Sequence, residues 1–224
     1  MLDIRANVEQ VQEAIAGACR RSGRSPAEVG LIAVSKTVDV ERIRQAVAAG
    51  VPALGENRVQ EARDKVEALG HPVPWHLIGS LQTNKARDAV RLFDWIHSVD
   101  RLELAQEIDR RAQALGRTVQ ALLQVNVGEE PQKGGAPPGE VKRLLDAMAG
   151  LRGLRMLGLM AIPPAVEDPE AARPHFRRLR ELRDAVGLPH LSMGMSADFE
   201  VAIEEGATMV RVGTAIFGAR ERKA

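Results

Sequence analysis

The chain has 224 residues, 45% of them hydrophobic and 27% charged, and its 31 Lys and Arg residues nearly balance its 30 Asp and Glu residues. This length suits a single α/β barrel, which runs to about 250 residues. A net charge of +1, with Phe 4, Trp 2 and Tyr 0, provides neither the basic surface nor the stacking aromatics of a nucleic-acid-binding protein. We therefore expect no nucleic acid partner.

The sequence also argues against a membrane protein and against a metal site. No apolar run approaches the roughly 20 residues that span a bilayer, and the N-terminus lacks the basic start and hydrophobic stretch of a signal peptide. A single cysteine, Cys19, cannot form an internal disulfide, and the five His residues lack metal-ligand spacing. We expect a cytoplasmic protein with no metal and no membrane partner.

The chain begins with an amphipathic helix, predicted for residues 3–21 because Ile4, Val8, Val11 and Ile15 recur at helical spacing. Short apolar runs then alternate with helical stretches. The predicted strands are Leu31–Val34, Val51–Leu54, Trp75–Ile78, Trp95–Val99, Ala121–Val127, Leu154–Met160, His190–Met195 and Met209–Ile216. The predicted helices between them include Val40–Ala48, Val59–Leu69, Leu102–Ala114, Val141–Met148 and Phe176–Val186.

This alternation predicts an α/β fold, a (β/α)8 TIM barrel with an extra N-terminal helix, with residues 1–224 as a single domain. Several of the runs are apolar at consecutive positions, which suits parallel strands that are covered on both faces. A doubly wound open sheet is the alternative, because a count of strands made from one sequence can differ from the true number by about one or two.

Polar residues follow almost every predicted strand. In a barrel of this kind the residues at the C-terminal ends of the strands converge at one mouth, where the chemistry takes place. The residues at these ends include Ser35, Lys36, Thr37, Gly55, Glu56, Asn57, Arg58, Gly79, Ser80, Ser98, Asp100, Asn126, Ser196, Asp198, Arg211, Gly213 and Thr214.

Lys36 is the most informative of these residues. It follows the buried run Leu31–Val34, and partial desolvation favours the neutral, nucleophilic form of an amine. Such a lysine can form a Schiff base with an aldehyde. The alternative is a lysine that extends to water or pairs with Glu56.

The last two strands carry a phosphate-binding pattern. Barrels often hold a phosphate in the loops after strands seven and eight, where small residues let backbone N–H groups approach an anion. The segments Ser192–Ser196 and Arg211–Thr214 supply small and hydroxyl residues at both loops. The alternative is that Gly194 and Gly213 only permit tight turns.

Other catalytic patterns are missing. No P-loop and no dinucleotide-binding glycine motif follows a strand. His76, His97, Ser80 and Cys19 lack the neighbours of a nucleophilic triad, and we interpret His76 as a structural residue on its strand.

Six motifs, spread over nearly the whole chain, resemble one known family. They are Val34-Ser-Lys-Thr37, Gly55-Glu-Asn-Arg-Val-Gln-Glu61, Trp75-His-Leu-Ile-Gly79, Leu81-Gln-Thr-Asn-Lys85, Ser192-Met-Gly-Met-Ser196, and Val210-Arg-Val-Gly-Thr214 with Ile216-Phe-Gly218. In this order they resemble the pyridoxal phosphate homeostasis protein family.

The resemblance implies a fold-type III barrel, similar to the N-terminal domain of alanine racemase. It implies pyridoxal 5'-phosphate as the cofactor, held as a Schiff base on Lys36. It also implies that Asn57 lies near the cofactor ring and that Arg211 faces the pyridine nitrogen. The residues implied to hold the phosphate are Ser196, Gly213 and Thr214.

The function implied is cofactor homeostasis, meaning storage, buffering or delivery of pyridoxal phosphate. We expect a monomer whose partners include apo enzymes that need the cofactor. No robust catalytic turnover is expected. A pyridoxal-phosphate-dependent racemase is the alternative, and a phosphosugar aldolase that uses Lys36 without a cofactor is a third hypothesis. The similarity to alanine racemase is partial, since that enzyme uses a tyrosine and a second, β-rich domain, and we expect neither here.

Overall fold

The computed structural model describes residues 2–130 and 132–219. Over these residues the chain forms a closed barrel of eight parallel strands in sequential order. The predicted barrel is confirmed, and the alternative of an open sheet is wrong, because the first strand pairs with the last from Gly30 opposite Met209 to Ala33 opposite Val212. The strands are β1 (Gly30–Val34), β2 (Leu54–Glu56), β3 (Trp75–Leu77), β4 (Trp95–Val99), β5 (Val119–Gln124), β6 (Leu154–Met160), β7 (His190–Met195) and β8 (Met209–Val212).

Helices surround the barrel. They are α1 (Ile4–Arg21), α2 (Val40–Ala48), α3 (Val59–Leu69), α4 (Ala86–Leu92), α5 (Leu102–Ala114), α6 (Val141–Met148), α7 (Arg173–Val186), α8 (Phe199–Glu204) and α9 (Thr214–Phe217). Short 3-10 helices lie at Pro26–Glu28, Thr83–Lys85, Pro138–Glu140 and Pro169–Ala172. The sequence pattern does not predict α4 and α8, because helices of 7 and 6 residues are too short for an apolar stripe to repeat.

Helix α1 is the predicted leading helix, and it closes the ring of helices. Its first turn is capped by Asp3, whose Oδ1 accepts a hydrogen bond from the Ala6 N–H at 3.0 Å. Helix α1 packs against α2, α8 and α9. The Asn7 side chain donates a hydrogen bond of 2.8 Å to the Ile216 carbonyl in α9. Because α9 has only 4 residues, α1 covers the side of the barrel that a full helix after β8 would cover.

Strand β2 begins at Leu54, so the predicted strand Val51–Leu54 is wrong in its bounds. Pairing with β1 starts where Leu54 lies opposite Ala33. Val51 is buried, but its N–H donates to the Ala46 carbonyl of α2 at 3.2 Å and not to a neighbouring strand. An apolar run indicates burial, and burial alone does not distinguish a strand from the loop segment that precedes it.

Strand β8 ends at Val212, so the predicted extension to Ile216 is also wrong. Gly213 is the N-cap of the one-turn helix α9, in which Ile216 and Phe217 remain buried. The apolar run Met209–Ile216 therefore covers strand β8 and continues into helix α9.

Strand β5 is likewise displaced from its predicted bounds, Ala121–Val127. It covers Val119–Gln124. Beyond its last residue, the Val125 N–H still donates to the Met160 carbonyl of β6 at 2.8 Å, and Val125 forms an isolated bridge to Ala136 in the long loop that follows.

The barrel interior combines an apolar cluster with buried polar side chains. The apolar cluster consists of Ile32, Ala53, Leu122, Met160 and Met209. Four polar side chains from four different strands contact one another in a row: His76, His97, Ser192 and Arg211. Each of them is at most 5% exposed. Because this interior is packed, ligands have access only at the ends of the strands.

The described residues include neither a helix that could span a membrane nor a cluster of metal-ligating side chains. None of the helices in residues 2–130 and 132–219 has the length and apolar character to cross a bilayer. The same stretches contain no group of three or more His, Cys, Asp and Glu side chains that could hold a metal ion.

Candidate functional site

All six residues predicted to form the site line one cavity of about 260 Å³ at the C-terminal ends of the strands. They come from the ends of β1, β2, β7 and β8. The convergence follows from the closed parallel barrel, in which these ends meet at one mouth. These six residues are Lys36, Asn57, Ser196, Arg211, Gly213 and Thr214.

Lys36 is half-buried and lies two residues beyond the end of β1. The next residue, Thr37, has a φ of 64°, which is uncommon for a residue with a side chain. Its N–H donates a short hydrogen bond of 2.5 Å to Oε1 of Glu61 on α3. The backbone beside Lys36 is therefore held in an unusual conformation by a carboxylate from a neighbouring helix.

A buried ion-pair network lies behind this segment. Lys65 Nζ donates to the Ser35 carbonyl at 2.6 Å, to Glu61 Oε1 at 2.7 Å and to Glu56 Oε1 at 2.8 Å. Burial raises the pKa of Glu56, and Lys65 opposes the shift. Burial also acts to raise the pKa of Glu61, but the hydrogen bonds from Lys65 and the Thr37 N–H outweigh it and lower that pKa. Lys65 thus stabilises both carboxylates that fix the chain around Lys36.

The two predicted phosphate-binding loops contact each other. Ser196 Oγ accepts a hydrogen bond from the Gly213 N–H at 3.1 Å and is 3.4 Å from the Ala215 nitrogen, which also donates to it. A Cβ added to Gly213 would lie 3.4 Å from both Cβ and the carbonyl oxygen of Val34. Gly213 is therefore close to β1, and a larger side chain there would press on the strand that leads to Lys36.

Arg211 is buried, being only 3% exposed. Its Nη1 donates to Ser192 Oγ at 2.7 Å and its Nη2 to the Ala161 carbonyl at 2.9 Å. Burial lowers the pKa of the guanidinium to about 10, and Asp198 opposes the shift. At neutral pH the group still carries its charge, and it borders the cavity.

Asn57 presents a buried acceptor at the cavity. Its Oδ1 has no hydrogen-bond partner among the described residues. A Cβ added to Gly79 would lie 2.3 Å from the Asn57 carbonyl oxygen, so a side chain at position 79 would displace the Asn57 backbone. Glycine at the end of β3 therefore allows Asn57 to occupy this place.

Known proteins resemble this chain over nearly its whole length. The alanine racemase N-terminal domain family matches residues 3–221. A pyridoxal phosphate homeostasis protein from Aquifex aeolicus is 49% identical over 96% of this chain and 97% of its own. The chain belongs to the pyridoxal phosphate homeostasis protein family. The family predicted from the sequence motifs is confirmed.

Two solved structures of similar chains share the fold of this family member. The crystal structure of an unknown protein from Bifidobacterium adolescentis has a TM-score of 0.90 at 41% identity, covering 96% of this chain and 94% of its own. PipY of Synechococcus elongatus PCC7942, solved with PLP bound, has a TM-score of 0.81 at 41% identity, covering 93% of this chain and 100% of its own.

The residues at the cavity of this family member fit pyridoxal phosphate. An amine at Lys36 suits an aldehyde, and a charged guanidinium at Arg211 suits a ring nitrogen that accepts a hydrogen bond. The unpartnered Oδ1 of Asn57 offers an acceptor to a ligand hydroxyl. The Ser196 hydroxyl accepts from the Gly213 N–H and keeps its own proton, which suits a phosphate.

The sequence reasoning missed part of the site. It grouped Ser192 with the phosphate-binding segment, whereas the structure directs this side chain into the barrel, where it contacts Arg211 and His97. It also missed the apolar cavity wall. The alternation along β4 and β7 could have shown that His97 and Ser192 face the same side as other interior residues, since strands alternate with period two. The apolar wall includes Ile78, Ile162 and Met195.

A second, larger cavity of about 630 Å³ lies beside the first one. The two cavities share Val34, Lys36, Gly213 and Thr214. Lys36 is therefore accessible from two sides, one toward Arg211 and one toward Glu61.

Proposed function

We propose that this chain binds pyridoxal 5'-phosphate and serves the homeostasis of that cofactor through storage, buffering or delivery. The observation that carries the proposal is the convergence of an amine, a charged guanidinium and two paired loops on one cavity of about 260 Å³. The names of the relatives, and the PLP bound to PipY, support the same cofactor. When bound, the cofactor supplies an aldehyde that reacts with amines.

Each predicted residue has a proposed role toward the cofactor. Lys36 is the point of covalent attachment, through the Schiff base expected from the sequence. Arg211 donates to the pyridine nitrogen, and Asn57 lies beside the ring. Ser196, Gly213 and Thr214 hold the phosphate.

Labelling of the attachment site tests the covalent role of Lys36. The protein is incubated with pyridoxal phosphate, reduced with borohydride and digested, and mass spectrometry locates the adduct. We expect the adduct on Lys36 in the wild type and no adduct at that site in Lys36→Ala. The exposed Lys85 supplies the matched control, Lys85→Ala, which should label as the wild type does. Labelling of another lysine with Lys36 unmodified would overturn the assignment.

Cofactor retention tests the phosphate-binding loops. Gly213→Val and Thr214→Ala should release pyridoxal phosphate faster than the wild type, because the first forces a side chain against Val34 and the second removes a hydroxyl from the cavity. The control is Gly150→Val, where an added Cβ meets no atom within 4 Å. Unchanged affinity in both loop variants would refute this placement of the phosphate.

A transfer assay distinguishes delivery of the cofactor to an apo enzyme from storage alone. Loaded protein is mixed with an apo enzyme that needs pyridoxal phosphate, and reactivation is compared with the same amount of free cofactor. Faster or more complete reactivation supports delivery, whereas reactivation no better than with free cofactor supports storage alone. We further propose that the protein acts as a cytoplasmic monomer, which cell fractionation and sedimentation test.

A racemase is the second candidate, favoured by the match to the alanine racemase N-terminal domain. Racemisation needs an acid or base on each face of the reacting carbon. Of the described residues that line the cavity, Lys36 and Arg211 are the ionisable ones, and the chain contains no tyrosine. We therefore expect deuterium exchange at Cα of L-amino acids to be slow and without inversion. Robust formation of D-amino acids that disappears in Lys36→Ala would favour the racemase.

A further inference from the structure

Four buried side chains form a continuous line of hydrogen bonds through the barrel interior, and it ends at the cavity. Arg211 Nη1 is 2.7 Å from Ser192 Oγ. Ser192 Oγ is 2.9 Å from His97 Nδ1, and His97 Nε2 is 2.9 Å from His76 Nδ1. We call these residues the barrel relay. They come from β8, β7, β4 and β3, so the relay crosses the barrel from one wall to the other.

The chemistry of the groups sets the direction of these hydrogen bonds. A guanidinium only donates, so Ser192 Oγ accepts from Arg211. The hydroxyl has one proton, and His97 Nδ1 can accept it. His97 then carries its proton on Nε2 and donates to His76 Nδ1, which leaves the His76 proton on its own Nε2. In the opposite direction the Ser192 proton would lack an acceptor within the relay, so the first arrangement satisfies more groups.

Both histidines are neutral around physiological pH, so the relay adds no charge beside Arg211. Burial lowers the pKa of His76 to about 3. Burial also lowers the pKa of His97 well below its ordinary value, and nearby His76 and Arg211 act in the same direction. Arg211 donates directly to the Ser192 hydroxyl and to the Ala161 carbonyl, and both of these acceptors are neutral too.

We propose that Ser192 and His97, supported by His76, are positioning residues for Arg211, which they anchor through a neutral acceptor. This inference rests on the proposed binding of pyridoxal phosphate. The Ser192 and Ala161 anchors hold two of the guanidinium nitrogens in place. A carboxylate acceptor would neutralise much of the guanidinium charge, whereas neutral anchors leave that charge for a ligand in the cavity.

A matched pair of hydroxyl deletions tests the relay. Ser192→Ala removes the acceptor of Arg211. Ser98→Ala is the control, because Ser98 is a buried serine beside His97 whose Oγ has no hydrogen-bond partner among the described residues. His97→Leu removes the next group of the relay. In each protein we measure the release rate of pyridoxal phosphate, the absorption spectrum of the bound cofactor and the borohydride labelling of Lys36.

We expect Ser192→Ala and His97→Leu to release the cofactor about tenfold faster, a change of about 1.4 kcal/mol. Both variants should also shift the absorption maximum of the bound cofactor. Lys36 should still be labelled at saturating cofactor. Ser98→Ala should match the wild type. A loss of stability alone would not shift the spectrum of properly folded, labelled protein. Wild-type spectra and release rates in both relay variants would overturn the inference, whereas a wild type that binds no cofactor would refute the proposed function itself.

A second measurement needs no cofactor. Nitrogen NMR of isotope-labelled histidine in the free protein should show both relay histidines neutral with their protons on Nε2, and Ser192→Ala should shift the Nδ1 signal of His97. Protons on Nδ1 in both rings would contradict the proposed direction and overturn the role of the Ser192 hydroxyl.

Discussion

The buried histidines predict that the protein loses stability in mild acid, and His76 allows the loss to be calculated. In the folded barrel the pKa of His76 falls from its ordinary 6.5 to about 3, because burial penalises the charged ring. Below the ordinary pKa the unfolded chain therefore binds a proton that the folded chain does not bind. The free energy of unfolding must then decrease as the pH falls from 6.5 toward 3.

The expected size follows from about 1.36 kcal/mol per pH unit. Between about pH 7.5 and about pH 5, His76 alone should lower the free energy of unfolding by about 2 kcal/mol. His97 changes stability in the same direction, because its pKa is also lowered by burial. Carboxyl groups contribute as well, so the effect of His76 has to be isolated by a variant.

Urea unfolding followed by circular dichroism at the two pH values measures this effect. We compare the wild type with His76→Gln, which cannot take up the proton, and with His71→Gln, which changes an exposed histidine. The decrease between the two pH values should be about 2 kcal/mol smaller in His76→Gln than in the wild type, and unchanged in His71→Gln. Equal decreases in all three proteins would show that folded His76 titrates as freely as the unfolded chain, and the reasoning would be wrong.

Three further substitutions test contacts that shape the site. Lys65→Met should lower the free energy of unfolding, measured in urea, by about 3 kcal/mol or more, because it leaves the buried Glu56 of β2 without its cation. The control Lys142→Met, on an exposed helix face, should change the free energy of unfolding little. Asn7→Ala should cost about 1 kcal/mol by the same assay, since it removes the bond from α1 to α9. Gly79→Ala should lower the free energy of unfolding by about 1–3 kcal/mol, and with it the thermal midpoint, because the added Cβ would overlap the Asn57 carbonyl. An unchanged midpoint would contradict this overlap.

The sequence alone was sufficient to predict the barrel, and the six residues predicted for the site line one cavity. Strands buried on both faces appear as continuous apolar runs, and the polar residues near the ends of these runs indicate the C-terminal face of the barrel. Ser196 and Gly213 could be paired in advance because they follow adjacent strands of a parallel barrel, and the hydrogen bond between them agrees with that pairing. The roles of these residues toward the cofactor stay predictions.

The limits of β2 and β8 needed the tertiary structure. Val51 and Ile216 are as buried as strand residues, but Val51 lies in the connection between α2 and β2, and Ile216 lies in a one-turn helix. An apolar run indicates burial, and both residues belong to the same apolar cluster as the strand residues around them. Hydrogen bonds between strands decide where a strand ends, and they depend on residues far away in the chain.

The barrel relay is the part of the protein that only the tertiary structure could decide. His97 and Ser192 are 95 residues apart in the chain, and Ser192 and Arg211 are 19 apart. Alternation along a strand predicts that a side chain faces the interior, but not which side chain it meets there. That choice depends on the closure and register of the whole barrel, because closure brings β4 and β7 to opposite walls of one narrow, packed interior.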